Sequence, residues 1–277
     1  MIQDEISTSS RSYWLQRRSV PGHLYDIDFL LFDRILQTQD QAGQRGDLVE
    51  VGCYLGKSAI VIGAHRRPEE DFVVCDIFED ETPGDVANQR ENDDSYAGLT
   101  RLGFEANYAR FVARPPTIVQ GLSSTLAVIV PPATVRFAHI DGGHLYDTVK
   151  ADLQLAGDYL LPDGVVAVDD VRSVHTPGVA AATWEAVAEE RLIPICSTEI
   201  KLYLSPSVDT AESIVDQLAE WFSRHREVHF GVQRIRGHRM VLVRNPVIRT
   251  WRQQARQMVP PALLARLRPS RPPHLGE

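Results

Sequence analysis

The feature that most constrains the fold of this chain is an alternation between short apolar runs and longer segments with helical periodicity, from residue 47 to about residue 204. The apolar runs are nearly continuous, which is typical of strands that are buried on both faces. Strands that alternate with helices predict βαβ units, and therefore a parallel sheet that helices cover. The predicted strands are DLVEVG (47–52), DFVVCDI (71–77), PTIVQG (116–121), VRFAHID (135–141) and GVVAVDD (164–170).

Helical periodicity predicts the elements that connect these strands. Because crossovers between parallel strands are right-handed, the expected fold class is α/β with a doubly wound, mostly parallel sheet. A helix is also predicted before the first strand, in YDIDFLLFDRILQTQDQ, and a hairpin is predicted to turn at Arg236-Gly237. The remaining predicted helices lie near 57–66, 96–113, 123–130 and 145–160 and in HTPGVAAATWEAVAEERL and AESIVDQLAEWFSRH, and two further strand-like runs are IPICS and KLYLS.

Length and composition favour one large α/β domain with an extension at each end. A chain of 277 residues with 43% hydrophobic and 24% charged residues can bury a sizeable core. The expected organisation is an N-terminal helical cap at 1–46, a main domain at 47–247 with an insertion at 78–111, and a basic tail rich in proline and arginine at 248–277.

Composition also narrows the function classes. A net charge of −8 argues against a broad nucleic-acid-binding face, because phosphate neutralisation needs clustered Lys and Arg. No apolar run reaches the ~18 residues of a membrane span, and the first residues lack the apolar stretch of a secretory signal, so we expect a cytoplasmic protein. Three widely spaced cysteines, Cys53, Cys75 and Cys196, fit neither a disulfide framework nor a CxxC metal site.

The tail differs in charge from the rest of the chain. From residue 248 onward it carries six arginines and a single acid, Glu277. A solvated, partly disordered extension is the favoured interpretation. Contact with an acidic partner or a membrane surface is the alternative. The oligomeric state is left open by the sequence, and a homo-oligomer is among the outcomes it allows.

A glycine-containing loop, EVGCYLGKS at 50–58, follows the first predicted strand and opens the first helix. Gly52 and Gly56 allow the backbone to pass close to a bound group, as in the crevice at the carboxyl ends of α/β strands. Their spacing differs from the GxGxxG of dinucleotide folds. The carboxylate of Glu50 suits a positively charged cofactor better than a pyrophosphate. S-adenosylmethionine, which has a sulfonium, an ammonium and no phosphate, meets this condition.

Two further positions fit such a cofactor. Asp76 ends the second strand, twenty residues beyond Gly56, where an acid can accept hydrogen bonds from both ribose hydroxyls. The segment Gly121-Leu-Ser123 closes the third strand, where an adenine edge would lie. The candidate cofactor-binding residues are Glu50, Gly52, Tyr54, Gly56, Ser58, Asp76, Ser123 and Asp141.

Three acidic residues end the fourth and fifth strands. In a doubly wound sheet these strands are neighbours, so Asp141 is expected to lie within reach of Asp169 and Asp170. Each acid taken singly is most simply explained as a helix or turn cap. Three together repel one another and raise their pKa values unless a cation neutralises them. Oxygen ligands of this kind suit Mg²⁺, and the expected metal ligands are therefore Asp141, Asp169 and Asp170.

The motifs EVGCYLGKS, VVCDIF, IDGGH and LLPDGVVAVDDV resemble those of the class I S-adenosylmethionine-dependent methyltransferases, which have a Rossmann-like fold. More narrowly, the chain is similar to the small-molecule O-methyltransferases that act on sugar hydroxyls of antibiotics, such as the macrocin and mycinamicin enzymes. The catechol and caffeoyl-CoA O-methyltransferases are more distant and share the metal-site layout. The resemblance covers about residues 45–205.

The resemblance implies roles for the acids and for one histidine. In these families the acids at the positions of Asp141, Asp169 and Asp170 hold a divalent ion that chelates two vicinal oxygens of the acceptor. Catechol enzymes often have asparagine at the last position, where this chain has Asp170. His144 lies three residues after Asp141, where catechol enzymes place a lysine base and the macrolide-sugar enzymes a histidine. His144 and Asp141 are therefore the catalytic candidates, whereas His139 is interpreted as a packed residue.

The expected function is Mg²⁺-dependent transfer of a methyl group from S-adenosylmethionine to a hydroxyl of a small molecule, a sugar or vicinal diol of a natural product or glycolipid. The alternatives are a catechol or polyketide O-methyltransferase, a nucleotide-binding oxidoreductase, and a catalytically silent methyltransferase-like binding protein. Acceptor selection is assigned to the insertion at 78–111 and to the N-terminal segment around Tyr13, Trp14 and His23. An ordinary surface insertion explains 78–111 equally well.

Overall fold

The structure is a computed structural model, and it describes residues 1–80 and 98–244. Half of the predicted insertion (81–97) and the whole of the predicted tail at 248–277 lie outside the described residues. The division of the chain into a cap, a main domain and a tail therefore stays a prediction. Within the two described ranges, no helix combines the length and the apolar character needed to cross a lipid bilayer.

A nine-stranded mixed sheet forms the centre of the described chain. Its strands are Asp47–Val51 (β1), Phe72–Asp76 (β2), Thr117–Gln120 (β3), Val135–Ile140 (β4), Leu160–Val168 (β5), Ile193–Ser197 (β6), Leu202–Ser205 (β7), Phe230–Ile235 (β8) and His238–Val243 (β9). They lie in the order β3-β2-β1-β4-β5-β7-β6-β9-β8. The first five strands pair in parallel, and β7 runs antiparallel to both β5 and β6. The predicted α/β fold with a mostly parallel, doubly wound sheet is confirmed.

The register of the sheet aligns the carboxyl ends of three strands. Val51 at the end of β1 pairs with Ile140 at the end of β4, and Ile140 pairs with Val168 at the end of β5. The residues that follow these three strands therefore start from the same edge. The strand order also reverses between β1 and β4, and such a switch point is where open α/β sheets bind ligands.

Helices cover both the sheet and its edge. They are Thr8–Gln16 (α1), Asp26–Gln41 (α2), Lys57–Gly63 (α3), Arg101–Ala109 (α4), Leu126–Ile129 (α5), Tyr146–Tyr159 (α6), Pro177–Ala188 (α7) and Val208–Ser223 (α8). Local sequence explains several starts, because Ser7, Thr100 and Ser207 accept backbone hydrogen bonds as N-caps. Pro177 occupies the first turn of α7, where its missing N–H is tolerated.

Most predicted helices and strands are found with small shifts in their ends, and the helix predicted at 96–113 is shorter, at Arg101–Ala109. The segment predicted as a helix at 123–130 divides into a 3-10 turn at Ser123–Thr125 and the short α5. Strand β5 starts at Leu160, four residues before the predicted start, and ends at Val168. Asp169 and Asp170 therefore lie beyond the strand, and Asp170 has a left-handed backbone with φ 57°.

A buried ionic cluster anchors the N-terminal segment to α2 and α3. Asp33 accepts a hydrogen bond from the backbone N–H of Ser7 at 2.9 Å. The Nε2 atom of His65 lies 2.9 Å from Asp33 Oδ1, and its Nδ1 lies 3.1 Å from Asp40 Oδ2. Burial lowers the pKa of His65, but the two carboxylates outweigh burial and raise it. The cluster holds the start of the N-terminal segment against α2. Residues further along that segment line the cleft described below.

Candidate active site

A cleft of about 420 Å³ opens at the carboxyl edge of the parallel strands. Its walls come from the loops after β1, β2, β3, β4 and β5, together with Gly22, His23 and Tyr25 of the N-terminal segment. The loop after β1 contributes Gly52, Tyr54 and Ser58, and the other loops contribute Asp76, Ser123, Asp141, His144, Asp169 and Asp170. Of the predicted site residues, Glu50 and Gly56 are absent from this lining.

The glycine loop reaches the cleft because two glycines adopt left-handed backbones. Gly52 has φ +75°, and a Cβ at this position would lie 1.9 Å from the carbonyl oxygen of Asp141. The loops after β1 and β4 are therefore in direct backbone contact, with the Asp141 N–H donating to Val51 O at 2.8 Å. Gly56 has φ +89° and caps α3. A Cβ on Gly56 would approach the ring of Phe104 to 3.1 Å.

Asp76 fixes the shape of this loop. Its Oδ2 accepts hydrogen bonds from the backbone N–H groups of Cys53 at 2.7 Å and Tyr54 at 3.1 Å. Its Oδ1 accepts from the N–H of Phe78 at 2.9 Å. The carboxylate thus ties the loops after β1 and β2 together while its side chain still lines the cleft. The predicted contact of Asp76 with ribose hydroxyls stays a prediction.

Ser123 also lines the cleft, and its hydroxyl contacts an acid that sequence analysis missed. Its hydroxyl donates to Asp152 Oδ1 at 2.5 Å. Burial raises the pKa of Asp152 to about 6. Asp152 lies within α6, where one acid among helically spaced polar residues is typical of a solvated face, so the sequence carried no signal for it.

The three predicted acids lie together, in two overlapping groups. Candidate ligand atoms of Asp141, His144 and Asp170 lie within 4.8 Å of one another, and so do those of His139, Asp141 and Asp169. Asp141 belongs to both groups. Burial, followed by the charge of Asp169, raises the pKa of Asp141 well above its usual range. This mutual repulsion is the condition under which a cation stabilises neighbouring carboxylates.

His144 pairs with one of these acids. Its Nε2 lies 3.0 Å from Asp170 Oδ2. Burial raises the pKa of Asp170, but the hydrogen bond and charge of His144 outweigh burial and lower it. Carboxylate oxygens that border an open cleft suit a hard divalent cation, which takes water or substrate oxygens as its other ligands. The residues present therefore fit Mg²⁺.

Sequence analysis missed Lys201, which is the main cation beside these acids. The side chain is 1% exposed and forms a short ion pair with Asp169 Oδ2. Its Nζ also lies 2.9 Å from His139 Nε2. Burial lowers the pKa of Lys201, but Asp169 and Asp141 outweigh burial and raise it. In the sequence this lysine precedes the apolar run LYLS and looks like a solvated strand end. Only the antiparallel pairing of Val168 with Leu202 brings it next to Asp169.

Glu50 and His139 lie behind the cleft. His139 is buried as expected, but it also makes polar contacts, because its Nδ1 lies 2.7 Å from Glu50 Oε1. Glu50 is fully buried, and burial raises its pKa to about 8. The structure thus places the Glu50 carboxyl group against a histidine and away from the cleft surface. A contact between Glu50 and the cofactor stays a prediction.

The N-terminal segment contributes to the cleft through a different set of residues from those expected. Tyr13 and Trp14 are buried and pack against Phe29, with ring centroids 5.7 and 5.0 Å away. Their predicted contact with an acceptor is wrong, because their side chains fill the core. His23 does line the cleft. The carbonyl of the preceding Gly22 is fixed by Lys57 Nζ at 3.0 Å.

Comparison with known proteins identifies the fold and the central region. Residues 49–171 match the family model described as a methyltransferase domain. The solved structure of the O-methyltransferase NovP is 21% identical and has a TM-score of 0.52, covering 64% of this chain and 78% of its own. CalS11, a calicheamicin methyltransferase, is 19% identical with a TM-score of 0.50, covering 73% and 86%. A search of curated proteins found no match.

Residues 49–171 therefore form a methyltransferase domain, and they contain the glycine loop, Asp76, Asp141 and the acidic pair after β5. The resemblance to class I S-adenosylmethionine-dependent methyltransferases is confirmed. The fold and the matched region are those of a methyltransferase.

Proposed function

We propose that this enzyme is a Mg²⁺-dependent O-methyltransferase that methylates a hydroxyl group of a small molecule. The observation that carries the proposal is the backbone contact between Gly52 and Asp141, which sets the glycine loop directly beside the acid cluster. A methyl donor held by one loop and an oxygen held at the other would then be neighbours. Positioning of this kind supplies much of the rate in a direct displacement.

The described residues divide the binding of S-adenosylmethionine among three loops. The loop from Gly52 to Ser58 would face the methionine end, where its glycines leave room for the backbone to approach the cofactor. Asp76 would accept hydrogen bonds from the ribose. Ser123, held by Asp152, would border the adenine. Gly52, Tyr54, Ser58, Asp76 and Ser123 line the cleft that contains the acids.

Asp141 and Asp170 would hold the divalent ion, with Asp169 as the third acid predicted from the sequence. The ion, when bound, lowers the pKa of an acceptor hydroxyl and stabilises the developing negative charge. His144 lies beside these acids and takes up the hydroxyl proton as general base. Its pairing with Asp170 at 3.0 Å orients the imidazole and stabilises the imidazolium that forms.

We infer that the acceptor is a sugar or a vicinal diol of a natural product or glycolipid. Polar side chains that can hydrogen-bond hydroxyl groups line the cleft around the acids, among them His23, Tyr25 and His175. His144 stands where the similar sugar O-methyltransferases have a histidine. CalS11, whose fold is similar, is described as a TDP-rhamnose 3'-O-methyltransferase. The catechol or polyketide acceptor is the alternative.

The remaining parts of the proposal come from the sequence. The enzyme would act in the cytoplasm, and its net charge of −8 favours a small-molecule acceptor over nucleic acid. A homo-oligomer and contact of the basic tail with a membrane surface are also proposed from the sequence.

The proposal is tested by incubating the full chain with S-adenosylmethionine and a panel of sugar, catechol and polyketide acceptors, with Mg²⁺ or with EDTA. We expect methyl transfer to a sugar or diol that EDTA abolishes and Mg²⁺ restores. Transfer that persists in EDTA would contradict the metal requirement. Tight binding of S-adenosylhomocysteine without transfer to any acceptor would favour the silent binding protein, and preferred binding of NADH would favour the oxidoreductase.

A further inference from the structure

Lys201 lies at the centre of a polar chain that joins the acid cluster to β1. Its ammonium group contacts Asp169 Oδ2 on one side and His139 Nε2, at 2.9 Å, on the other. His139 in turn lies 2.7 Å from Glu50. All four side chains are buried, with Lys201 only 1% exposed. A charged group with so little exposed surface is stable only where neighbouring polar groups compensate its charge.

The direction of each hydrogen bond in this chain follows from Lys201. An ammonium group only donates, so His139 Nε2 must accept. A ring nitrogen that accepts a hydrogen bond carries no proton, so the imidazole of His139 is neutral. The single ring proton is therefore on Nδ1 and is donated to Glu50 Oε1. Both nitrogens of His139 are thus engaged, and neither can coordinate a metal while Lys201 is present.

The two groups of candidate metal ligands consequently differ. In the described part of the chain, the inner group contains His139, Asp141 and Asp169, and the outer group contains Asp141, His144 and Asp170. Lys201 contacts two members of the inner group, and the other oxygen of Asp169 accepts the N–H of Asp170 at 2.8 Å. All three members of the outer group line the cleft, whereas His139 of the inner group does not; Asp169 lines it beside Lys201.

We propose that the ammonium group of Lys201 is a permanent internal cation that occupies the inner position, so that a divalent ion is held by Asp141 and Asp170 in the outer position. Asp169 then forms an ion pair with Lys201, and the divalent ion does not require it as a ligand. Lys201 is a positioning residue, because it fixes Asp169 and places a fixed positive charge beside Asp141. This inference rests on the proposed divalent-ion site and revises its ligand set.

The proposal predicts effects of different size at Asp169 and Asp170, which the sequence treats as equivalent. The Asp170→Asn variant removes an ion ligand, whereas Asp169→Asn removes only the partner of Lys201. The Lys201→Met variant frees Asp169 and His139 Nε2 and removes a positive charge near the ion, so it should bind divalent ions more tightly. The double variant Lys201→Met/Asp169→Asn removes one charge of each sign and serves as the matched control.

The experiment measures Mn²⁺ binding to the full chain by electron paramagnetic resonance of free Mn²⁺, without any turnover. S-adenosylhomocysteine binding and the thermal midpoint show that each variant is folded. We expect Asp170→Asn to weaken Mn²⁺ binding at least about tenfold and Asp169→Asn to weaken it clearly less, because Asp169→Asn removes a nearby charge but no ligand. Lys201→Met should strengthen binding at least about tenfold, and the double variant should return to within about threefold of the unaltered chain.

The outcomes separate this inference from the proposed function. Equal weakening by Asp169→Asn and Asp170→Asn would overturn the inference and leave the metal-dependent function intact. Mn²⁺ binding by Lys201→Met but not by the unaltered chain would support the internal cation and contradict the Mg²⁺ requirement. If neither binds Mn²⁺ while both bind S-adenosylhomocysteine, both proposals fail. Should Lys201→Met not fold, the comparison of Asp169→Asn with Asp170→Asn decides alone.

Discussion

Gly52 and Asp141 follow different strands, yet a Cβ added to Gly52 would lie 1.9 Å from the carbonyl oxygen of Asp141. No side chain can be accommodated at this distance without moving one of the two backbones. The contact joins the loop expected to hold the methyl donor to the loop that begins the acid cluster. The distance between the two parts of the site is thus set by backbone packing.

The Gly52→Ala variant is therefore expected to separate the two loops. We expect the free energy of unfolding to fall by more than about 2 kcal/mol, since a left-handed backbone and a backbone clash both contribute, and S-adenosylhomocysteine binding to weaken at least tenfold. Urea unfolding and calorimetric titration measure these changes. Gly43 has a similar φ of +73° with nothing within 4 Å of its added Cβ, so Gly43→Ala isolates the backbone strain. Equal losses in both variants would rule out the clash.

Asp76 should be required for the shape of the glycine loop. In Asp76→Asn, one acceptor oxygen becomes an NH₂ donor that faces backbone N–H groups. We expect a loss of about 1–3 kcal/mol in stability and weaker binding of S-adenosylhomocysteine. Asp71, whose side chain is exposed near the other end of β2, provides the control Asp71→Asn. If the Asp76 variant retains full affinity, the carboxylate has no part in holding the cofactor loop.

Glu50 should make the enzyme less stable as the pH rises. An acid whose folded pKa is raised from 4.5 to about 8 binds its proton more tightly in the folded state. Stability is therefore highest below the unfolded pKa and is lost as the pH rises from about 4.5 to 8. Glu50→Gln keeps an acceptor for His139 and does not ionise.

The gain in stability from Glu50→Gln should accordingly grow between pH 5 and pH 8, on the order of 1–3 kcal/mol. Urea unfolding at the two pH values measures this difference. The exposed acid Glu220 on α8 provides the control Glu220→Gln, which makes the same change of side chain at the surface. A gain that is the same at both pH values would show that Glu50 titrates normally in the folded protein.

His144→Ala should lower kcat by roughly 10² to 10⁴, the range for removal of a general base, with a smaller change in KM. S-adenosylhomocysteine affinity should be almost unchanged, because the methyl donor does not need the base. His229 is exposed at the end of the chain segment before β8 and supplies the control His229→Ala. A loss of less than threefold in kcat for the His144 variant would remove this histidine from the mechanism.

Much of the fold followed from the sequence because its signals are local. Continuous apolar runs marked β1 to β5, and the turn at Arg236-Gly237 correctly placed the β8–β9 hairpin. The early start of β5 was missed because Pro162, Asp163 and Gly164 are typical of a turn, although Leu160 pairs with Val135 of β4.

The candidate site could be predicted where its functional side chains lie at the ends of strands. Asp76 and Asp141 come directly after apolar runs, so strand prediction alone brought them to one edge of the sheet. Lys201 and Asp152 required knowledge of contacts across the sheet or between a helix and a loop. Tyr13 was misplaced for the converse reason, since an aromatic residue near a terminus gives no sign that it packs into the core and donates to Lys57 O at 3.0 Å.

The antiparallel course of β7 brings the residue before it to the residue after β5. One codon just before a strand can therefore exchange a fixed ammonium for a neutral side chain while the loops after β1 to β5 keep their sequence. A lineage built on this sheet could change how tightly it holds a dissociable ion independently of what it methylates, and an engineer could make the same exchange.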